Sequence, residues 1–307
     1  MIEQAWIIKA LDENKRFQRL KVLNLSHSNN LATCLDFSWF PHLERLDLGY
    51  CISLDKLDES IGQLSQLKNL ILKCCDSLKK LPDSIGDLDS LVQLDLSRSN
   101  IEELPDNISM LSSLVELVLT DCRSLKKLPE SIGYLKSLVK LKLTNVSKIE
   151  ELPDGVGLLE KLEVLDASSC PKLVKLPRSM GRMRCMHHIN LKRTSISKIP
   201  EDFPMHSNIF ELKMPVRLQS LPIDLSRLEY LNQLNLLKCE KLEYLPELLS
   251  SLVQLCCEDC FSLVRLPDLS RLKTLTILCL EGCIKLEEIQ GLRGKTILGR
   301  TQCPRMP

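Results

Sequence analysis

Two things are scarce in this 307-residue chain: aromatic side chains, at 4%, and any surplus of one charge, with 41 Lys plus Arg against 40 Asp plus Glu. Apolar residues still make up 44%, so a sizeable core has to be built from leucine, isoleucine and valine. Balanced charge removes the general electrostatic grip that nucleic acid or an anionic membrane surface would need. No apolar run approaches the roughly 20 residues that cross a bilayer. The opening stretch MIEQAWIIKALDENKRF has an acidic third residue, a lysine at position 9 and no long apolar segment, so no secretory signal is read. The expected location is cytoplasmic, with access to the nucleus left open. Cysteine is plentiful, at fourteen, which in a small secreted chain would announce a disulfide framework. Here most of the cysteines have a positional explanation, and free thiols in a reducing compartment are expected.

What the chain has is a repeat. Leu114 to Cys122 reads LxxLxLxxC, and near-copies recur down the chain. The second leucine of each copy falls at Leu23, Leu46, Leu70, Leu94, Leu117, Leu141, Leu165, Ile189, Leu212, Leu234, Leu255 and Leu278, in steps of 21 to 24 residues. A period this steady identifies a solenoid before any other signal is weighed. The LxL segment alternates apolar and polar, the period of a strand. The half-repeat that follows, such as Leu81-Pro82-Asp83-Ser84-Ile85-Gly86-Asp87-Leu88, carries a proline that cannot serve a central ladder strand, and Asp83 or Ser84 is placed to cap a short helical turn. One unit is therefore strand, turn, short helical segment and loop. It cannot cover its own leucines, so neighbours must stack into one continuous core.

This pattern resembles the leucine-rich repeat family over about residues 20–290. The LPxSIGxL half, as at Leu128 to Leu135, is similar to the cytosolic subtypes rather than the extracellular plant subtype with its LxGxIP. The opening LKVLNLS at Leu20 to Ser26, then Asp36-Phe37-Ser38 and Pro41-His42-Leu43-Glu44-Arg45-Leu46, resembles the first repeats of plant TIR-type nucleotide-binding immune receptors, which read LKVLNLS, PDFS and PNLERL. Leu35 stands where the family has proline, with an apparent one-residue slip. The resemblance implies an α/β leucine-rich repeat horseshoe: a parallel concave sheet of about twelve strands, backed by short helical or irregular convex segments.

Residues 1–19 read as an N-terminal cap or degenerate repeat, 20–292 as about twelve repeats, and 293–307 as a non-repeat tail without a cap. The chain is expected to be a fragment, a truncated product or a partner-dependent remnant. A longer period is also visible: Lys79-Lys80, Glu102-Glu103, Lys126-Lys127 and Glu150-Glu151 alternate in sign on successive repeats. Stacked repeats would set these pairs side by side as a charge ladder that favours correct register. Repeat nine breaks the pattern, with Asp202 to Ser207 in place of the SIGxL half and Pro215 after its strand, so a bend or loosened pairing is expected there.

Motifs that invite chemistry are mostly absorbed by the repeat. Cys51, Cys75, Cys122, Cys170, Cys239, Cys260 and Cys283 hold the turn position, where a small thiol fills the interior. Cys34, Cys74, Cys185 and Cys303 have no such place and are expected to be exposed. Cys257-Glu258-Asp259-Cys260 has the CxxC spacing of zinc and redox sites, yet the repeat explains both cysteines. Gly291 to Thr296 ends like a phosphate-binding loop but has Ile289 where the pattern needs glycine. His187-His188 reads as a surface pair, and the three Asn-x-Ser matches at Asn24, Asn107 and Asn145 as coincidence. No catalytic order, metal cluster or cofactor motif survives the register, so no enzyme is expected.

A binding surface remains. Strand residues that flank the inward leucines should face a partner. Lys140, Lys142, His188, Lys192, Arg193 and Lys213 gather as a modest basic patch, interrupted by Asp166 and Glu211. Leu237, Cys256, Ile277 and Cys279 are apolar at positions expected to be exposed, which marks a partner surface. The immune-receptor resemblance implies sensing of pathogen effectors or their host targets, and restraint of a nucleotide-binding module in the full-length protein. The alternative is a free-standing cytosolic scaffold like the Ras-group leucine-rich repeat proteins, which use the same LPxSIGxL half.

Overall fold

The structure, a computed structural model, describes residues 17–32, 35–200, 203, 208–221, 225, 228–287 and 289–291. Most of the expected N-terminal cap, the expected tail and the back half of repeat nine lie outside the described residues. The chain forms two compact units, Met1–Ile149 and Glu150–Pro307. Each is a stack of leucine-rich repeats built on parallel strands.

In the first unit the strands are β1 (Val22–Asn24), β2 (Arg45–Asp47), β3 (Asn69–Ile71), β4 (Gln93–Asp95), β5 (Glu116–Val118) and β6 (Lys140–Lys142). Each pairs in parallel with the next, and the register places Leu23, Leu46, Leu70, Leu94, Leu117 and Leu141 in one row. The second unit holds β7 (Val164–Asp166), β8 (His188–Asn190), β9 (Glu211–Lys213), β10 (Gln233–Asn235), β11 (Gln254–Cys256) and β12 (Ile277–Cys279). There Leu165, Ile189, Leu212, Leu234, Leu255 and Leu278 form the equivalent row. From Leu46 to Leu278 the row is at most 2% exposed, as are its partners two residues on from Leu48 to Leu119. Each such leucine contributes on the order of 1.5–3 kcal/mol by leaving water.

The ladder outlasts the three strand residues. Leu48 N–H donates to the Ile71 carbonyl at 2.9 Å and Tyr50 N–H to that of Lys73 at 2.7 Å. Tyr50 achieves this with φ 62°, and His27, Cys74, Arg98, Asp121, Asn145, Ser169, Arg193, Lys238 and Asp259 sit in the same left-handed region. Side chains with a Cβ avoid that region; at His27, Tyr50, Cys74, Arg98, Asp121, Ser169, Lys238 and Asp259 the N–H bond to the following repeat is what holds the residue there.

The back halves are 3-10 turns, for example Asp83–Asp87, Asp106–Met110 and Glu130–Tyr134 in the first unit, and Asp154–Leu158 and Arg178–Arg182 in the second. Proline occupies the N-cap of these five, so Asp83 and Ser84 fall inside the turn and not at its cap. Where aspartate replaces that proline it does cap: Asp58 accepts from Ser60 N–H at 2.9 Å. The glycine of SIG is required by close approach. A Cβ on Gly62 would lie 2.8 Å from the Ser84 carbonyl oxygen, on Gly86 2.6 Å from that of Asn107, and on Gly157 2.2 Å from the Ser179 carbonyl carbon.

Repeat nine is more regular than its sequence. β9 pairs in register with both β8 and β10. Pro215 lies beyond the strand, so its missing N–H removes no ladder bond within it. Its carbonyl accepts from the Cys239 thiol at 3.4 Å, so a sulfur from the following repeat serves this turn.

Gly157→Ala should cost about 1–3 kcal/mol by overpacking the two stacked turns, and Leu117→Ala about 2–5 kcal/mol by leaving a cavity. Urea unfolding of the two variants measures both.

Candidate protein-recognition face

The first and third residues of each strand point away from the leucine row and make the open face of each unit. The third position is more occupied with structure than its sequence implies. Asn24, Asp47, Asp95 and Asp166 each accept the backbone N–H two residues on, at 2.9, 3.0, 2.9 and 2.9 Å, and so fold the turn that follows the strand. Asn190 and Asn235 do the same at 3.3 and 3.1 Å. Asp166 also accepts from Ser168 Oγ at 2.6 Å and from Asn190 Nδ2 at 3.2 Å. A candidate contact residue is thus committed to its own fold. Ile71, Val118, Lys142 and Lys213 stand at the same position without an acceptor, so no turn duty claims them.

Three of the six basic candidates, Lys142, His188 and Lys213, lie against a glutamate. In the first unit Lys142 Nζ lies 2.7 Å from Glu116 Oε1, and Lys140 is exposed. In the second, Lys213 Nζ and His188 Nδ1 lie 3.1 and 3.5 Å from the two oxygens of Glu211. Lys192 is half-buried; burial first, then the charge of Lys213, lowers its ammonium below the ordinary lysine range. Arg193 is exposed on a left-handed backbone. The neighbouring acids were visible in the sequence, but the pairing depends on strand register.

The apolar candidates divide. Leu237 and Ile277 are part-exposed, whereas Cys256 and Cys279 are 6% and 1% exposed, against the expectation of exposure. The physical reason is mutual cover: Cys256 Sγ lies 3.1 Å from Cys279 Sγ, and Gln254 Nε2 lies 3.3 Å from Cys256 Sγ. Cys256, Glu258 and Cys279 bring three ligand atoms within 4.8 Å of one another. Cys279 is disulfide-bonded, which corrects the free-thiol reading at this residue and removes the second thiolate that a soft metal would need. On the edge where the chain enters the strands, His187, Phe210 and Tyr230 form an aromatic row, with ring centroids 5.6 and 6.4 Å apart. The sequence reading missed this row because its members come from three different repeats.

The turn cysteines lie inside. Cys51, Cys75, Cys122, Cys170, Cys239 and Cys260 are 0% exposed, and Cys283 is part-exposed. Cys51, Cys75, Cys122 and Cys260 donate to the carbonyls of Leu25, Leu48, Leu96 and Leu236 at 3.2, 3.2, 3.0 and 3.1 Å. Each of these acceptors lies in the preceding repeat, so the thiol stitches two turns together. Cys283 reaches the Cys257 carbonyl at 2.9 Å. Burial pushes the Cys75 thiol up to about 12 and that of Cys122 to about 11. Cys257 and Cys260 are both 0% exposed, so neither thiol of the CxxC meets solvent as a redox or metal-exchange site would require. Cys74 is part-exposed and Cys185 exposed; Cys34, Cys303 and residues 292–296 of the loop-like motif lie outside the described residues.

The charge ladder is present within the first unit: Lys80 Nζ lies 2.5 Å from Glu103 Oε1, and Lys126 Nζ 2.8 Å from Glu102 Oε2. In the second unit Lys172 Nζ is 3.9 Å from Glu150. A further ladder not anticipated from sequence runs from Lys21 through Glu44 to Lys68, at 2.7 and 2.9 Å. The two lysines hold the Glu44 carboxyl down at about 2.

Comparison with known proteins agrees with this architecture. Residues 19–146 match the family model described as a leucine-rich repeat region. Among curated proteins, the disease resistance protein RPV1 of Vitis rotundifolia is 38% identical over 65 residues, 21% of this chain and 4% of that protein. The disease resistance protein RUN1 of the same species is 42% identical over 53 residues, 17% of this chain and 4% of that protein. The matched stretches are thus a small fraction of either relative. Among solved structures, a leucine-rich repeat protein of Leptospira interrogans superposes with a TM-score of 0.50 at 21% identity, covering 92% of this chain and 77% of that one, a likeness of fold.

Two outcomes test these assignments. A thiol-alkylating reagent should label Cys74 and Cys185 in the native protein, while Cys51, Cys75, Cys122, Cys170, Cys239, Cys257 and Cys260 react only on unfolding, as mass spectrometry of quenched samples would read. The raised thiols also set an alkaline limit: their contribution to stability is complete below the ordinary value of 9 and is lost as pH rises through about 11 and 12. Urea midpoints measured from pH 8 upward should therefore fall, and Cys122→Ser should flatten part of that fall.

Proposed function

We propose that this leucine-rich repeat chain is a non-enzymatic protein-recognition solenoid, the sensing and restraining part of a plant intracellular immune receptor. The observation that carries the reading is the open sheet face. Its leucine rows hold the fold, while Lys142, Lys213, Val118 and exposed first strand residues such as Arg45, Lys140 and His188 are claimed by no core or turn duty. Residues free of such duty, arrayed at the strand spacing of about 4.8 Å, are what a protein surface reads. Lys140 and Lys142 in the first unit, and His188, Lys192, Arg193, Lys213, Leu237 and Ile277 in the second, are the contacts proposed, with Asp166 retained chiefly for its turn. The partner is a protein, a pathogen effector or the host protein it disturbs, and a nucleotide-binding module of the full-length receptor is a second partner. Partial similarity to two Vitis disease resistance proteins supports this reading. The LPxSIGxL back halves favour a second reading, a free-standing cytosolic scaffold of the Ras-group kind.

Sequencing the transcript upstream of the Met1 codon separates the two. The receptor reading expects an open frame encoding a nucleotide-binding module with a phosphate-binding loop. An in-frame stop directly upstream of Met1, with no such module, would reverse the preference. The face has its own check: Asp166→Ala should lower stability by about 1 kcal/mol through the lost turn bonds, whereas Lys140→Ala, at an exposed position, should leave stability within roughly 0.5 kcal/mol of the parent.

A further inference from the structure

The first unit carries a cavity of about 500 Å³ in the turns that follow β3, β4 and β5, away from the open sheet face. Two guanidiniums dominate its wall. Arg98 and Arg123 are exposed, with side-chain exposures of 68% and 71%. Arg98 Nε lies 3.5 Å from Asp121 Oδ2, and Arg123 Nη2 lies 3.5 Å from Asp121 Oδ1. One carboxylate therefore gathers two arginines onto a common wall and engages a single nitrogen of each, at long range. Asp121 is itself held: Asn145 Nδ2 donates to it, and that bond, followed by the charges of Arg98 and Arg123, keeps its carboxyl below the ordinary range.

The base beneath is fixed. Arg98 and Asp121 both have left-handed backbones, at φ 58° and 61°. Their N–H groups donate to the Thr120 and Thr144 carbonyls of the following repeats, each at 2.8 Å. Asn100, which lines the cavity, accepts from Ser124 Oγ at 2.5 Å through its side-chain oxygen. A guanidinium offers five N–H groups in a fork that matches a carboxylate. Asp76 and Asp121 also line the cavity and balance the two arginines, so what the wall offers a carboxylate is the fork of N–H donors and not a net charge.

We propose that this cavity is a second recognition site, which seats the carboxylate of an aspartate or glutamate side chain from a protein partner between Arg98 and Arg123. The site does not depend on the sheet face being the main contact surface. A partner that lies on the face can extend over this edge, and one that ignores the face can dock here alone.

The test uses the whole chain with ¹⁵N-labelled arginine, two capped tripeptides, acetyl-Ala-Glu-Ala-amide and acetyl-Ala-Gln-Ala-amide, and inorganic phosphate. The glutamyl peptide should shift the Arg98 and Arg123 Nε–H resonances saturably in the millimolar range, and the glutaminyl peptide should do so at least roughly fivefold more weakly, as a lost charged fork requires. R98Q/R123Q should abolish binding with an unchanged thermal midpoint, and R98K/R123K should weaken it, since charge remains but the fork does not. An equal response to both peptides, no saturable shift, or a glutamyl titration that survives in R98Q/R123Q overturns the proposal. Phosphate binding more tightly than the glutamyl peptide overturns its assignment to a carboxylate.

Discussion

Register between stacked repeats is the constraint on which everything else in this protein rests. A three-residue strand has almost no stability of its own, and its side-chain period of two means that a slip of one residue would turn every leucine outward. The structure holds register with several devices at different depths. At the centre are the leucine rows. Just beyond them, left-handed residues such as Tyr50, Cys74 and Arg98 extend the ladder by one more hydrogen bond, and below the turn the thiols of Cys51, Cys75 and Cys122 tie their repeats to a carbonyl of the one before. On the back, glycines allow neighbouring 3-10 turns to touch backbone to backbone. At the surface, Lys80–Glu103 and Lys126–Glu102 join adjacent repeats. Such exposed pairs add little stability, but a stacking that skipped a repeat would set like charges together.

This division of labour decides what is left for function. Leucine, cysteine, glycine and most of the Asx residues are consumed by the fold. The thiols that invite a chemical reading are among the most deeply buried groups, with protons held more tightly than in a free cysteine. The open face carries paired charges such as Lys142–Glu116 and Lys213–Glu211, which lower its net field while leaving a specific pattern for a partner to match. Specificity on such a surface comes from arrangement more than from net charge.

Much of the architecture was legible because periodicity is a sequence property. Within each unit every marker residue inferred from spacing is found in register, from Leu23↔Leu46 to Leu117↔Leu141 and from Leu165↔Ile189 to Leu255↔Leu278. The turn cysteines were placed by the same count. What was not legible depends on partners across repeats. Asp166 reads as an exposed charge until the turn behind it folds onto its oxygen. Cys256 and Cys279 read as exposed until their sulfurs meet. Left-handed backbone at Tyr50 or Arg98 has no signal in the residue type, because the hydrogen bond that enforces it comes from the following repeat. The Arg98–Asp121–Arg123 wall was invisible for the same reason: its members are spread over two turns that only stacking unites. Pro215 leaves β9 paired in register with both neighbours, because it falls just past the bond from Met214 N–H to the Asn235 carbonyl.

The turns already come in two lengths, Cys75-Asp76-Ser77-Leu78 against Ser99-Asn100-Ile101, while the strand segment does not vary. The account therefore makes strand register, and not repeat length, the determinant of stability. Urea unfolding of two single-residue insertions tests this directly: one serine placed after Asn100 in the turn, and one placed between Leu117 and Val118 in β5. The turn insertion should leave a cooperative transition with a midpoint near that of the parent. The strand insertion should lower the midpoint severely or split the transition, because every side chain beyond it changes face. Equal losses from the two insertions would contradict the account.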